Sequence, residues 1–328
     1  MDGTPADNPF QHQNSGKPLT ITFILRRVAI FYSIPANTSR MMAPMSKTIP
    51  DDYELLDSGH GRKLERFGPH ILIRPCAAAV WEPSIPPDQW KADASFDRED
   101  GHAWTVNRQL PDSWNITVAD IRFRLSTTDF GHLGIFPEQR DAWQWIRQTL
   151  QNTAAKRTGP LSVLNLFAYS GGATMAAAQA GASVCHLDAS KGMVARAREN
   201  ATLNELATRP IRWIVDDVTK FLDREIRRGT RYDAIILDPP SFGRGKSGEV
   251  YKIESNLPNT LRQCASLLSA QPCFVLLSCH TPAFSPLILQ NLLSRGLKGG
   301  SVESGEMALI GKPGVPPLPH GTWSRWKP

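Results

Sequence analysis

The chain has no Cys-x-x-Cys pair and no cluster of several cysteines and histidines. Its five cysteines, Cys76, Cys185, Cys264, Cys273 and Cys279, are scattered and odd in number. That argues against a disulfide framework and against any metal site, structural zinc included, and it suits a reducing cytoplasm. A membrane-spanning run is missing as well. The apolar stretch "LTITFILRRVAIFYSI" is split by Arg26 and Arg27 and is too short to cross a bilayer. Its charges fall inside the apolar run, whereas a secretory signal carries them ahead of it. A strong charge imbalance is missing too. The formal net charge is +6, and half of that excess comes from residues 1–50, where Lys17, Arg26, Arg27, Arg40 and Lys47 face only Asp2 and Asp7. Basicity is therefore only a slight pointer to a polyanionic partner.

With 328 residues, 41% of them hydrophobic and 21% charged, the chain can bury one large core and a smaller one. Residues 1–50 read as a disordered extension, because "MDGTPADNPFQHQNSGKP" is polar and rich in Pro, Gly and Asn. The favoured reading is an upstream start, with Met41, Met42 or Met45 nearer the working N-terminus. The scarcity of acidic residues leaves a mitochondrial targeting segment as the alternative. Residues 51–128 read as a small β-rich domain, with strands expected at 70–75, 104–109, 114–119 and 121–126. Six of the nine tryptophans lie between Trp81 and Trp145, which predicts an aromatic core for it. A helix is expected over 136–151, with Trp143, Ile146 and Leu150 on one stripe.

From Gly159 onward, apolar strands at 161–168, 182–189, 211–216, 232–238 and 273–279 alternate with helical patterns at 173–180, 191–203, 218–228, 253–269 and 284–295. The alternation predicts an α/β fold over 129–328, a doubly wound, mostly parallel Rossmann-like sheet covered on both faces. Ligands of such sheets sit at the carboxyl ends of the strands, where the chemically unusual residues of this chain fall.

The first βα turn reads "NLFAYSGGAT". Gly171 and Gly172 let backbone approach a ligand at a helix N-terminus, although glycine pairs in such turns also serve packing. The turn lacks Gly-x-Gly-x-x-Gly, the pyrophosphate cradle, which disfavours an NAD-dependent dehydrogenase. S-adenosylmethionine, which brings a carboxylate and an ammonium instead, suits it better. Asp188 closes the second strand 17 residues after Gly171, and reads as an acceptor for ribose hydroxyls or as a helix cap. Asp216 and Asp217 close the third strand; one suits an adenine amino group and the other a helix cap, with Asp217 preferred for adenine.

The fourth strand ends in "LDPPSFGRGKSGEVYK". Pro239 and Pro240 fix φ and remove two N–H donors, so the chain leaves the sheet as a rigid shelf. The shelf turns the Asp238 carboxylate and nearby carbonyls toward a planar base bearing N–H groups. Phe242 is placed to stack on that base, and Arg244 and Lys246 to hold a phosphate backbone. The bland reading of the prolines is a loop start. Cys279 ends the fifth strand and reads either as a buried structural thiol or as a nucleophile. His280 would lower its pKa, although as a strand neighbour it should point to the opposite face.

Four segments, "VLNLFAYSGGAT", "HLDAS", "VDDVTKFL" and "IILDPPSFGRGKSGEVYKIE", together resemble the class I S-adenosylmethionine-dependent methyltransferases of the ribosomal large-subunit cytosine-5 type. The resemblance covers roughly 130–295. It implies S-adenosylmethionine held by Asn165, Phe167, Tyr169, Ser170, Gly171, Gly172, Asp188, Asp216 and Asp217. Through "GHLGIFPEQR" it adds Gln139 as a neighbour of the cofactor, and it implies an RNA substrate, ribosomal RNA being favoured. That family's Thr-Cys-Ser stands here as Ser278-Cys279-His280, and the resemblance implies Cys279 as the thiolate that adds to cytosine C6 for methylation at C5. A purine nitrogen, a small molecule or a protein as methyl acceptor, and a non-catalytic RNA-binding module, are the alternatives. The oligomeric state is left open.

Overall fold

In a computed structural model of the chain, residues 51–97, 103–244 and 248–328 are described. The expected extension at 1–50, the side chain of Arg244 and all of Lys246 lie outside the described residues.

Strands β1 (Tyr53–Gly59), β2 (Arg62–Phe67) and β3 (His70–Pro75) form an antiparallel meander. Strand β4 (Ala94–Asp97) joins β3 in parallel, and β5 (Ala103–Val106) completes a five-stranded sheet. A separate hairpin follows, β6 (Trp114–Val118) and β7 (Ile121–Leu125). Its two-residue loop, Ala119–Asp120, has positive φ at both positions, as a type I′ turn requires. Of the six clustered tryptophans, Trp114 and Trp143 are buried and Trp81, Trp104 and Trp145 pack against the same core.

A short 3₁₀ turn, Pro137–Gln139, leads into α1 (Arg140–Ala154), whose stripe Trp143, Ile146 and Leu150 is buried as expected. The alternating part runs β8 (Ser162–Leu166), α2 (Gly172–Gln179), β9 (Ser183–Asp188), α3 (Lys191–Leu203), β10 (Ile211–Val215), α4 (Val218–Arg228) and β11 (Ala234–Leu237). A small ribbon, β12 (Phe242–Arg244) with β13 (Val250–Lys252), precedes α5 (Ile253–Leu267), β14 (Phe274–Cys279), α6 (Pro286–Gly296), β15 (Ser301–Leu309) and β16 (Leu318–Lys327). The main sheet has the order β10-β9-β8-β11-β14-β16-β15. Its first five strands are parallel, and β16 inserts antiparallel between β14 and β15. This C-terminal hairpin was not expected from the sequence.

Successive residues of each central strand face opposite layers. Ala234 and Ile236 join one core with residues of α1 and α2, and Ile235 and Leu237 join the other with residues of α4, α5 and α6. The first core also takes in Phe67 and Leu72 of the N-terminal sheet and Leu309 and Leu318 of the C-terminal hairpin. Each fully buried side chain of the Phe67 or Ile146 kind contributes roughly 1.5–3 kcal/mol. Among the described residues, no helix is long and apolar enough to cross a membrane.

Candidate active site

Strand order reverses between β8 and β11, and at such a reversal the loops diverge and leave a crevice beyond the strand ends. A cavity of about 1290 Å³ opens there, more than the roughly 300–1,000 Å³ usual for one small ligand. The ends of β9 and β10 lie on one side of β8, and those of β11 and β14 on the other. Lys63 of β2, Arg74 of β3 and the adjoining Cys76 also line the cavity, so the N-terminal sheet supplies a wall that the sequence did not reveal.

The turn after β8 is tightly wound. Phe167 (φ 56), Tyr169 (φ 49) and Gly171 (φ 90) are all left-handed, a conformation that costs a non-glycine residue about 1–3 kcal/mol. Gly172 has a packing reason: a Cβ there would lie 2.5 Å from the Trp143 ring. Gly172→Ala is therefore expected to destabilise the protein by roughly 1–3 kcal/mol, read as a lower midpoint in chemical denaturation; an unchanged midpoint would show that the Trp143 ring moves freely aside.

The structure divides the expected cofactor residues between two places. Phe167, Tyr169, Asp188, Asp216 and Asp217 line the large cavity. Gln139, Asn165, Ser170, Gly171 and Gly172 instead line a pocket of about 50 Å³ behind the turn. Asn165 donates to Thr174 Oγ1 at 2.9 Å, and the Ser170 carbonyl accepts from Asn200, so both serve the wall. Asp188 accepts from the Tyr169 amide at 2.9 Å and the Ser190 amide at 2.8 Å, which ties the turn to the end of β9. Burial raises its pKa, opposed by these two amides. It is not the helix cap: Ser190 caps α3. The expected division of Asp216 and Asp217 is also corrected. Asp217 caps α4 by accepting from the Lys220 amide at 3.0 Å, while Asp216 pairs with Arg224 and accepts from the Asp217 amide.

Asp238, Pro239 and Pro240 line the cavity beyond β11. Asp238 Oδ2 accepts from Gln139 Nε2 at 3.1 Å, and Gln139 also donates to Ser278 Oγ at 3.0 Å. Gln139 thus braces the shelf from behind. Phe242 is half exposed on the β12–β13 ribbon and does not line the cavity. Register between β11 and β14 pairs Leu237 with Leu277, which brings Cys279 to the same crevice. Cys279 is 1% exposed; burial pushes its thiol pKa up, and the Thr281 amide 3.4 Å from Sγ opposes this only partly. His280 does not face away from Cys279, because β14 ends at Cys279 and strand alternation ends with it. Both line the cavity, but the His280 ring is directed to carboxylates.

Of those carboxylates, Asp238 was expected at the site and Glu138 was not. His280 Nδ1 lies 3.3 Å from Asp238 and its Nε2 lies 3.2 Å from Glu138. Burial opposes charge on the ring, yet Asp238 and Glu138 outweigh it and raise the His280 pKa well above the usual imidazole range. His320 Nδ1 lies 2.9 Å from the same Glu138 oxygen, and His320 Nε2 lies 2.9 Å from Lys63 Nζ. Burial disfavours the charged His320 ring, Glu138 favours it, and the balance is about 9. Glu138 is pushed up by burial and down by the two histidines, and ends well below the carboxylate range. Ligand atoms of Glu138, His280 and His320 all fall within 4.8 Å of one another, but a cation there would also face Lys63 Nζ, which lies 2.9 Å from His320 Nε2. Glu138 lay within the quoted "FPEQR"; nothing in the sequence marked Lys63 and His320 as partners.

Five parallel strands, an antiparallel C-terminal hairpin and an acid-lined crevice at the switch point define a Rossmann-like methyltransferase fold. Residues 89–299 match the family model of S-adenosylmethionine-dependent methyltransferases. The crystal structure of the SAM-dependent methyltransferase from Agrobacterium tumefaciens matches with a TM-score of 0.80 at 38% identity, over 85% of this chain and 91% of that one. The chain belongs to the S-adenosylmethionine-dependent methyltransferase family. Over 119 residues, 36% of its length, it is 38% identical to ribosomal RNA large subunit methyltransferase I of Aeromonas hydrophila, covering 28% of that protein. Over 149 residues, 45% of its length, it is 35% identical to ribosomal RNA large subunit methyltransferase K/L of Syntrophotalea carbinolica, covering 19% of that one. The chain therefore matches less than a third of the length of these two curated relatives.

Proposed function

We propose that the protein methylates a base in RNA, ribosomal RNA being the favoured substrate, and that it does so in the cytoplasm. The observation that carries this reading is the single crevice of about 1290 Å³, which holds Asp188, Asp216 and Asp217 to one side of β8 and the Asp238-Pro239-Pro240 shelf to the other. That is room for a cofactor and a second planar ligand together. In this reading residues 51–128 form the wall facing the substrate, and 129–328 the catalytic domain.

The donor set fits S-adenosylmethionine. Asp188 uses two of about four lone-pair positions on main-chain amides and keeps capacity for ribose hydroxyls. Asp217 caps α4 through Oδ1 and stands at the cavity edge, where its other oxygen is an acceptor toward adenine, and Phe167 and Tyr169 flank the same space. When bound, the cofactor supplies an electrophilic methyl group on a sulfonium. The shelf residues do the rest: Pro239 and Pro240 lack N–H donors, so their carbonyls meet the amino edge of a base without competition. Phe130 is 70% exposed and lines the cavity, where it suits stacking on a base turned out of its helix.

The raised thiol pKa of Cys279 favours transfer to a nitrogen, since addition to cytosine C6 needs a thiolate. Its position at the crevice, one strand from the shelf, supports cytosine C5 as the second reading. Calorimetry with S-adenosylmethionine is expected to find one binding site; a folded protein that does not bind it removes the enzyme reading. Nucleoside mass spectrometry of RNA from a deletion strain then names the product, with an N-methylated base expected to disappear. In the same assay a Cys279→Ala variant is expected to keep turning over. Loss of 5-methylcytidine in the strain, together with loss of turnover in the variant, would transfer the assignment to carbon.

A further inference from the structure

Seven side chains, drawn from positions 63 to 320, form one unbroken line beneath the shelf. From the shelf inward they run Asp238, His280, Glu138, His320, Lys63, Glu65 and Arg74, with spacings of 3.3, 3.2, 2.9, 2.9, 3.3 and 2.7 Å for the six contacts in turn. Glu138, Lys63 and Glu65 are at most 5% exposed. Lys63 Nζ lies 2.9 Å from His320 Nε2, which joins the two basic groups between Glu138 and Glu65. Along the line each carboxylate is flanked only by basic side chains. Buried charges persist only when paired in this way.

We propose that this line is a positioning device for methyl transfer, with His280 as the residue that keeps the Asp238 carboxylate aimed beneath the shelf. The proposal rests on the reading of the shelf as the site that takes the methyl acceptor. Asp238 Oδ2 accepts from Gln139, and its buried Oδ1, which has no hydrogen-bond partner, lies 3.3 Å from His280 Nδ1 as an ionic contact. His280 is held in turn by Glu138, and its ring lies 5.4 Å from that of Phe136, which also packs against Tyr169 of the cofactor turn. Pairing of Cys279 with Thr322 sets His280 and His320 side by side at the ends of β14 and β16. The far end of the line is anchored in β2 and β3 by Glu65 and Arg74. By this device the N-terminal sheet and the C-terminal hairpin take part in the transfer site, although neither carries a reacting group.

The groups facing the two rings are Asp238 and Glu138 at His280, and Glu138, Lys63 and Cys76 at His320. Glu306 of β15 and Cys279 line the same cavity. A ring whose pKa is raised stays protonated through neutral pH and loses its proton only as the pH climbs through that raised value. Nitrogen NMR of labelled histidine in the intact protein is expected to find both ring nitrogens of His280 protonated at pH 7.5, and this protonation is expected to fall in Asp238→Asn. The measurement needs no substrate, so it stands even if the RNA reading fails. A neutral His280 ring at pH 7.5 overturns the proposal. With a methyl acceptor in hand, His280→Gln is expected to lower kcat on the order of 10²-fold, with KM and cofactor binding nearly unmoved. The fall in wild-type kcat at alkaline pH should vanish in the variant, because glutamine does not titrate. An alkaline limb that is the same in His280→Gln as in the wild type overturns the positioning role.

Discussion

Asp238→Asn is expected to reduce turnover by roughly 10²–10³-fold while the affinity for S-adenosylmethionine changes by less than about tenfold, or 1.4 kcal/mol. Asparagine preserves the shape of the side chain but removes its charge. One face of Asp238 takes the Gln139 amide at 3.1 Å and the other faces His280 Nδ1 at 3.3 Å. Two donors converge on this side chain, and asparagine offers one oxygen and one NH₂ group, so one donor must face another donor. The residues proposed to hold the cofactor lie across β8 at the ends of β9 and β10 and keep their own bonds. Such a separation identifies a group that acts in the transfer step rather than in ground-state binding. Single-turnover methylation together with calorimetry on the same sample measures both quantities; kcat within a factor of about three of the wild type would remove Asp238 from the reaction centre.

The largest expected effect on stability is at Glu65, far from any reacting atom. Its carboxylate is fully buried, takes a bidentate bond from Arg74 at 2.7 and 2.9 Å, lies 3.3 Å from Lys63 and accepts from the Tyr53 hydroxyl at 3.0 Å. Glu65→Ala leaves two buried cations without their anion, at a cost of about 3–5 kcal/mol. That is a large share of the 5–15 kcal/mol that holds a typical domain folded, and urea denaturation at neutral pH measures it. An effect under about 1 kcal/mol would mean that water reaches the site and compensates the charges. The same group predicts acid sensitivity. Burial pushes the Glu65 pKa up, but Arg74 and Lys63 pull it down to about 2 from an ordinary 4.5. The folded value lies below the unfolded one, so the contribution is complete above about pH 4.5 and declines as the pH falls toward 2. By linkage it amounts to roughly 3 kcal/mol. In Glu65→Ala this part of the acid unfolding profile should be flat.

The strands and helices of the parallel sheet were legible because their signals are local. Each central strand is a short branched-apolar run, each helix has one stripe, and the shelf announces itself through two adjacent prolines. Strands β1 and β2 were not legible, since Asp57, Lys63 and Glu65 point inward, and a buried charge reads as a solvent-facing one until its partner is known. β16 was missed for a related reason: its inward set includes Thr322 and Ser324, whose hydroxyls find partners at Phe284 and Ser304 only in the assembled fold.

By itself, then, the amino-acid order determined the methyltransferase sheet, the acids at the ends of β9 and β10 and the Asp-Pro-Pro shelf, because each depends on residues within a few positions of one another. Tertiary structure alone decided that Asp217 and not Asp216 caps α4, that Phe242 stays outside the crevice, and that Gln139 braces Asp238 rather than lining the main cavity. It alone joined Lys63, Glu138, His280 and His320 into one ionic line. The physical reason is range: caps, turns and periodic faces are set by neighbours in sequence, whereas the value of a buried charge is set by whatever the fold brings within about 4 Å of it.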